Sequence, residues 1–270
     1  MNRSTKFSLE FLGSGTSVGV PVIGCDCAVC MSEDPRNKRL RSSALVKAYD
    51  DSGAVTTTVL IDTTPDFRIQ MLRAKVRRID AVIISHYHAD HVVGIDDIRR
   101  YNGMQNAVID CWCTAQTEES LRRSFGYVFG ELRPGLPCLK ARTMIFGEPF
   151  EIGTLKFEPL RLDHHVMDTA GFRISSRGSA ALAYCLDVKR VPAETIQALR
   201  GTDTLVLDML REKIHPTHMN LEEALAVVKQ VEPRRTWFGH IAHEVDHALL
   251  ETKLPPEIRI AYDGLVLELA

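Results

Sequence analysis

The run SHYHADHVVGID constrains this chain more than any other stretch of it. His86, His88, Asp90 and His91 spell H-x-H-x-D-H and follow directly on the apolar run 81–84. Three imidazoles and a carboxylate at such close spacing are hard to explain as packing. A solvated polar cluster fits poorly too, because the run leaves the end of a strand and further histidines and acids recur downstream. Imidazole and carboxylate suit zinc, manganese or iron, and one ion cannot easily take all four from so short a loop. Two adjacent ions can share them, and a two-metal site clamps the attacking and leaving oxygens of a displacement.

The flanking pattern alternates strands and helices. Strands are expected over 7–12, 43–49, 56–61, 79–84, 108–111, 150–162, 170–175, 180–186, 204–207, 235–238 and 266–269. Helices are expected over 65–74, 94–101, 117–129, 193–199, 221–231 and 245–254. The segment 131–140 (ELRPGLPCLK) carries two prolines and a glycine, so it reads as a loop over the site or at a subunit contact. Strands come in runs with helices between them, in two roughly similar halves. That predicts an α/β sandwich of two packed sheets with helices outside. No linker divides the chain, so one domain over 1–270 is expected.

With 270 residues, 45% of them hydrophobic, the chain can build one sizeable core. Its net charge of −2 gives no global basic field for a large nucleic acid. A small polyanionic substrate still fits, because bound metals supply local positive charge. The N-terminal stretch has no apolar leader and no segment is long enough for a bilayer, so a cytoplasmic protein is expected, with no membrane partner. Of the seven cysteines, Cys25, Cys27 and Cys30 cluster as C-x-C-x-x-C, which points to metal chemistry more than to disulfides.

Further ligand types end apolar runs. Asp62 ends TVLID, His164 and His165 follow FEPLRLD, Asp187 ends ALAYCLD and His240 ends RTWFGH. Strand ends are where α/β proteins gather their sites. With the H-x-H-x-D-H loop these make five ordered motifs, and the chain resembles the metallo-β-lactamase superfamily over nearly its whole length. The resemblance implies an αββα sandwich of two mixed sheets flanked by helices, with two divalent metals at one edge. It implies that His86, His88 and His164 hold one metal and Asp90, His91 and His240 the other. Asp187 would bridge them, Asp90 would also serve catalysis, and Asp62 would orient the loop. One histidine of the 164–165 pair suffices; the spacing to 171–173 favours His164 over His165. Zinc and manganese both suit this mixture of nitrogen and oxygen donors.

Three thiolates at Cys25, Cys27 and Cys30 need one more donor to close a tetrahedral structural zinc. His243, three residues past His240, is the first candidate, and His247 the alternative. The Gly-rich start, these cysteines, the HxxH pair 240–243 and the fragment PTHMNLEEAL together resemble the phosphoribosyl cyclic phosphate phosphodiesterases of phosphonate degradation, the PhnP-like family. That resemblance implies a phosphoric diester hydrolase with an accessory zinc, acting on a small phosphodiester or nucleotide. It places on His218 the role of contacting phosphate or protonating the leaving group. Ser14 and Thr16 of the Gly/Ser loop are candidate phosphate donors. Arg68 is a candidate for positioning anions, or a partner for Asp66. Three rival readings share parts of the pattern. They are a ribonuclease Z-like tRNA-processing nuclease, a glyoxalase II-type thioester hydrolase and a non-hydrolytic cofactor-biosynthesis or carrier protein resembling the pyrroloquinoline-quinone pathway member. A homodimer through 131–140 is a further expectation.

Overall fold

The computed structural model describes residues 6–165 and 167–270. Residues 1–5, part of the stretch read above as lacking a leader, lie outside the described residues. In chain order, the first half lays down β1 (Phe7–Gly13), β2 (Ser43–Tyr49), β3 (Val55–Ile61), β4 (Ala81–Ile83), β5 (Ile109–Cys113) and β6 (Leu139–Thr143). The second lays down β7 (Phe150–Ile152), β8 (Leu155–His164), β9 (Met167–Ser176), β10 (Leu182–Cys185), β11 (Thr204–Asp208), β12 (Arg235–Gly239) and β13 (Ile258–Ile260). The closing strand β14 (Val266–Leu269) returns to the first sheet, whose order is β14-β1-β2-β3-β4-β5-β6. The second sheet runs β13-β12-β11-β10-β9-β8-β7.

The two sheets repeat one plan. In each, antiparallel pairing gives way to parallel pairing, at β3 in the first sheet and at β10 in the second. Alternation along the strands sorts their side chains into layers. Ala44, Val46 and Ala48 of β2 join Phe7, Leu9 and Phe11 of β1 and Phe157 and Phe172 of the other sheet in the central core. Leu45 of the same strand points outward, into a second cluster with Phe67, Met71 and Leu121. There the outer helices pack: α1 (Phe67–Arg73), α2 (Ala89–Val92), α3 (Arg99–Gln105) and α4 (Ala115–Phe125). On the far side, Leu205 and Leu207 face α5 (Ala193–Leu199), α6 (Leu221–Val231) and α7 (His247–Glu251). The result is the expected αββα sandwich of mixed sheets. No helix among the described residues is long and apolar enough to cross a membrane.

The departures are local. The expected strand over 150–162 is a hairpin, β7 and β8, turning at Gly153, whose φ of 60° suits glycine. The edge strands β6 and β13 went unread, the first half-exposed and polar, the second only three residues long. The helix expected over 94–101 starts as a 3-10 turn over Val93–Ile98 and becomes α3 only at Arg99. The 131–140 segment does not cover the metal motifs. Its hydrogen bonds run to α3, where Asn102 donates to the Cys138 carbonyl and accepts from the Cys138 amide, and to β5.

Candidate metal centre

The parallel strands end at one edge of the sandwich, and the ligand types follow directly. Asp62 lies one residue past β3, Asp187 two past β10 and His240 one past β12. All three take left-handed backbone, with φ of 64°, 54° and 60°. Such conformations cost a non-glycine residue about 1–3 kcal/mol each and persist only where their surroundings fix them. At Asp62 a hydrogen bond from its amide to the Ile83 carbonyl does so. At Asp187 the Thr169 hydroxyl donates to its carbonyl at 2.8 Å.

The H-x-H-x-D-H loop divides into two parts. His86 and His88 leave β4 before the helix begins, and their rings lie 4.6 Å apart. With His164, the last residue of β8, they form one group whose ligand atoms lie within 4.8 Å of one another. One helical turn, α2, then carries Asp90 and His91 to a second group with Asp187 and His240. His91 Nε2 is 3.3 Å from Asp90 and 3.4 Å from Asp187, and His240 Nε2 is 3.2 Å from the other oxygen of Asp187. Asp187 thus faces both imidazoles of the second group, while a third grouping joins it to His164 and His218.

Partners behind the rings fix their orientation. The Asp62 carboxylate accepts from His91 Nδ1 at 2.8 Å and from the Ser85 amide and hydroxyl. The His164 Nδ1 donates to the Thr217 carbonyl at 2.9 Å. Each bond leaves the Nε2 side of its ring toward the cluster. Burial drives the His86 pKa well below the usual histidine range, and the His91 charge adds to this. Burial works the same way on His91 and His240, but there the carboxylates win. Asp187 and Asp62 carry His91 well above the ordinary value, and Asp187 carries His240 up to about 9. The pocket therefore attracts positive charge.

The donor set fits divalent metal. His91 Nε2 and His240 Nε2 are buried yet make no hydrogen bond among the described residues, although carboxylate oxygens stand 3.2–3.4 Å away. Unpaired buried polar atoms are costly, and separations of this size are those between neighbouring ligands of one ion. The cysteine cluster fits equally well. His243 Nδ1 stands 3.3, 3.6 and 3.5 Å from the sulfurs of Cys25, Cys27 and Cys30. Zinc bonds of ordinary length would set tetrahedral S···N edges of about 3.6 Å. His247 lies elsewhere, buried at the start of α7 beside Glu251.

Other sequence candidates are placed as follows. His165 is exposed and faces a cleft with Lys189, Arg190 and Pro216, outside the ligand groups. His218 donates from Nδ1 to Asp208 at 3.0 Å and stacks on His240 with centroids 4.5 Å apart. Ser14 is fully buried, and its amide and hydroxyl both donate to Asp263, so neither is free for phosphate. Thr16 is nearly buried, with its amide on the Ile241 carbonyl. The glycines of this loop serve close backbone approach, since a Cβ on Gly13 would fall inside the Arg41 carbonyl. Arg68 lines a cleft on α1 with Met71 and Tyr101, and Asp66 pairs instead with Arg41. The sequence reading missed Asp208, although it ends TLVLD just as Asp62 ends TVLID. It is fully buried and takes the Val188 amide as well as His218.

A sandwich of this kind, open at one edge to two groups of imidazole and carboxylate, is the framework of metal-dependent hydrolases with the metallo-β-lactamase fold. The chain belongs to the beta-lactamase superfamily: the family model described as beta-lactamase superfamily domain matches residues 57–241. Within it the chain is PhnP-like. A solved diphosphatase from the PhnP family superposes with a TM-score of 0.87 at 38% identity, covering 97% of each chain. Zinc-bound PqqB from Methylobacterium extorquens shares the fold at a TM-score of 0.76 and 20% identity, over 96% of this chain and 99% of that one. Among curated proteins, an octanoyltransferase from Porphyromonas gingivalis is 37% identical over 260 residues. This chain is matched over 94% of its length but spans only 50% of that relative.

Proposed function

We propose that this chain is a phosphodiesterase acting on a small phosphoric diester, a cyclic ribose phosphate or a nucleotide-like compound, and that it works as one domain over 1–270. The observation that carries the reading is the Asp208–His218 pair set against the ligand groups. A hydrolase that only needed activated water would have no use for a second, oriented imidazole touching His164 and His240. In this reading His86, His88 and His164 would hold one divalent metal and Asp90, His91 and His240 the other, with Asp187 available to either. Zinc or manganese there supplies Lewis acidity toward the phosphoryl oxygens and makes water a stronger nucleophile.

The chain's own groups do the rest. Asp62 holds His91 by Nδ1, so the ring cannot turn away from the site. Asp208 occupies Nδ1 of His218, which leaves Nε2 as the nitrogen that gives a proton to the departing oxygen. Asp90 contributes negative charge beside His91. Cys25, Cys27, Cys30 and His243 hold a structural zinc that takes no part in the reaction. The diphosphatase neighbour supports phosphoester chemistry.

The curated relative supports a second reading, transfer of an octanoyl group, here tested with an octanoyl thioester as probe, although its name belongs to a protein twice as long. Cys111, Cys113, Cys138 and Cys185 are all buried, so none offers an acyl-accepting thiol at the surface. The deciding experiment measures hydrolysis of bis(p-nitrophenyl) phosphate, cyclic nucleotides, a dinucleoside diphosphate and an octanoyl thioester by manganese- or zinc-loaded protein. Turnover of phosphoric diesters alone supports the proposal. Turnover of the thioester alone overturns it.

A further inference from the structure

Arg39 heads the fully buried side chains by size, at 1% exposure. It lies between the cysteine loop and β2, in a stretch (NKRLRSS) that reads as surface. Its guanidinium makes no ion pair among the described residues. Nη1 donates to the Ala242 carbonyl at 3.0 Å, and Nη2 to the Val245 carbonyl at 2.9 Å and to Asn37 Oδ1 at 2.8 Å. Nε donates to the Arg36 carbonyl at 3.1 Å. Asn37 extends the contact, because its Oδ1 also accepts from the His247 amide and its Nδ2 donates to Asp246.

Four of these bonds, two of Arg39 and two of Asn37, fall on the segment that follows His240. On its inner side the Ile241 amide donates to the Ser14 carbonyl and the Ala242 amide to the Leu210 carbonyl. On its outer side Arg39 and Asn37 take positions 242, 245, 246 and 247. His240 itself needs such support, because its φ of 60° is left-handed backbone in a non-glycine residue. A buried cation directed at backbone carbonyls is expensive to maintain. Its planar fork reaches two carbonyls of the turn at once, those of Ala242 and Val245.

We propose that Arg39 is a positioning residue for the metal centre: its guanidinium fixes the turn over 240–245 and so keeps His240 aimed at Asp187. The inference rests on His240 as a metal ligand and is independent of which ester the enzyme cleaves. The accessory cluster holds the same segment at His243, through its ring and through the Cys27 thiol on its carbonyl, and the hydrogen bonds of the Arg39 guanidinium go to none of the cysteines.

The test is cobalt(II) loading of the full chain, with competition by a chelator to give the affinity of each ion. The thiolate-to-cobalt charge-transfer band reports the cysteine site separately. Arg39→Lys keeps the cation and loses the fork, and Arg39→Met removes both. Both variants are expected to bind one active-site ion about 10-fold more weakly, the scale seen when groups behind metal ligands are removed. The thiolate band should be unchanged. His240→Ala should weaken the same ion. Should Arg39→Met fail to fold, Arg39→Lys decides alone. Wild-type affinity for every ion in Arg39→Lys overturns the proposal, as does prior loss of the thiolate band. Wild-type affinity in His240→Ala removes the premise, and the proposal falls with it.

Discussion

Two clusters of metal-ligand residues lie at the two ends of one short segment, with His240 in one and His243 in the other, and they are built differently. At the strand ends, ligands come from both halves of the chain, and His86, His91, His164, Asp187 and His240 are all buried. Three residues there adopt left-handed backbone, and carboxylates or carbonyls behind the rings hold them in place. In the loop before β2, three thiolates from one short stretch meet one imidazole, with Cys25, Cys27 and His243 only half-buried and no strained non-glycine residue among them. The cysteine set is closed by four donors, as structural zinc requires, whereas the histidine–aspartate set has more donors than one ion needs and an open edge. Strain and preorganisation accumulate where reaction is expected, and the site that only ties chain together does without them.

The strongest way to break this contrast is Asp187→Asn. Asp187 faces His91 and His240, and removing its charge should lower phosphodiester turnover by about 10³-fold, on the scale of losing a preorganised electrostatic group. The thiolate–cobalt band should not change. Turnover within a few-fold of wild type would mean the carboxylate is structural. Next in size is His218→Ala, read against leaving group. A proton donor matters for an alkoxide and hardly for nitrophenolate, so the loss should be about 100-fold for a cyclic nucleotide and small for bis(p-nitrophenyl) phosphate. Equal losses on both esters would make His218 a binding residue instead.

The sequence made the reactive site more legible than its supports. Candidate ligands announce themselves because chemistry restricts their type and strand ends restrict their place, as at Asp187 and His240, and Asp62, which holds His91, shares that placement. Asp208 carries the same signature but is one more strand-end acid until the fold puts it under His218. Between His164 and His165 the spacing to 171–173 pointed the right way: His164 closes β8, whereas His165 has left the strand with left-handed backbone, φ 64°, and is exposed. The Gly/Ser loop misled, because glycine permits close backbone approach as readily as phosphate contact: Gly13 and Gly15 are packed on 39–41 and Ser14 is bonded to Asp263. Arg39 gave no signal at all, because nothing local distinguishes a buried arginine from a solvated one. Edge strands β6 and β13 were too short or too polar for an alternation to register.

The closed site makes a smaller prediction. Cys27→Ser should remove one zinc per chain and lower the melting temperature by about 5 °C, while the remaining ions and their affinities stay as in wild type. The Cys27 thiol is already drawn down to about 6, first by the Cys30 amide that donates to it, so it enters the set as thiolate at neutral pH. Unchanged melting and unchanged metal content would remove the structural zinc from the account. Loss of active-site ions together with this zinc would erase the distinction between the two clusters.

The smallest effect sharpens the comparison from the segment's far end. His247 is buried beside Glu251, and burial, aided by the charges of Arg36 and Arg39, lowers its pKa to about 4. In the unfolded chain it titrates near 6.5. Between those values the native protein binds fewer protons than the unfolded one, so this residue makes stability fall as pH drops from about 6.5 to 4 and leaves it level below. The slope is at most about 1 kcal/mol per pH unit. Metal ligands lose ions in the same range, so urea unfolding of wild type and His247→Gln should be compared with metals removed from both. A shallower acid slope in the variant assigns the loss to the α7 end of the clamp. Identical slopes would place it on the emptied ligand clusters instead, and the Arg39–Asn37 side of the segment would then be insensitive to acid.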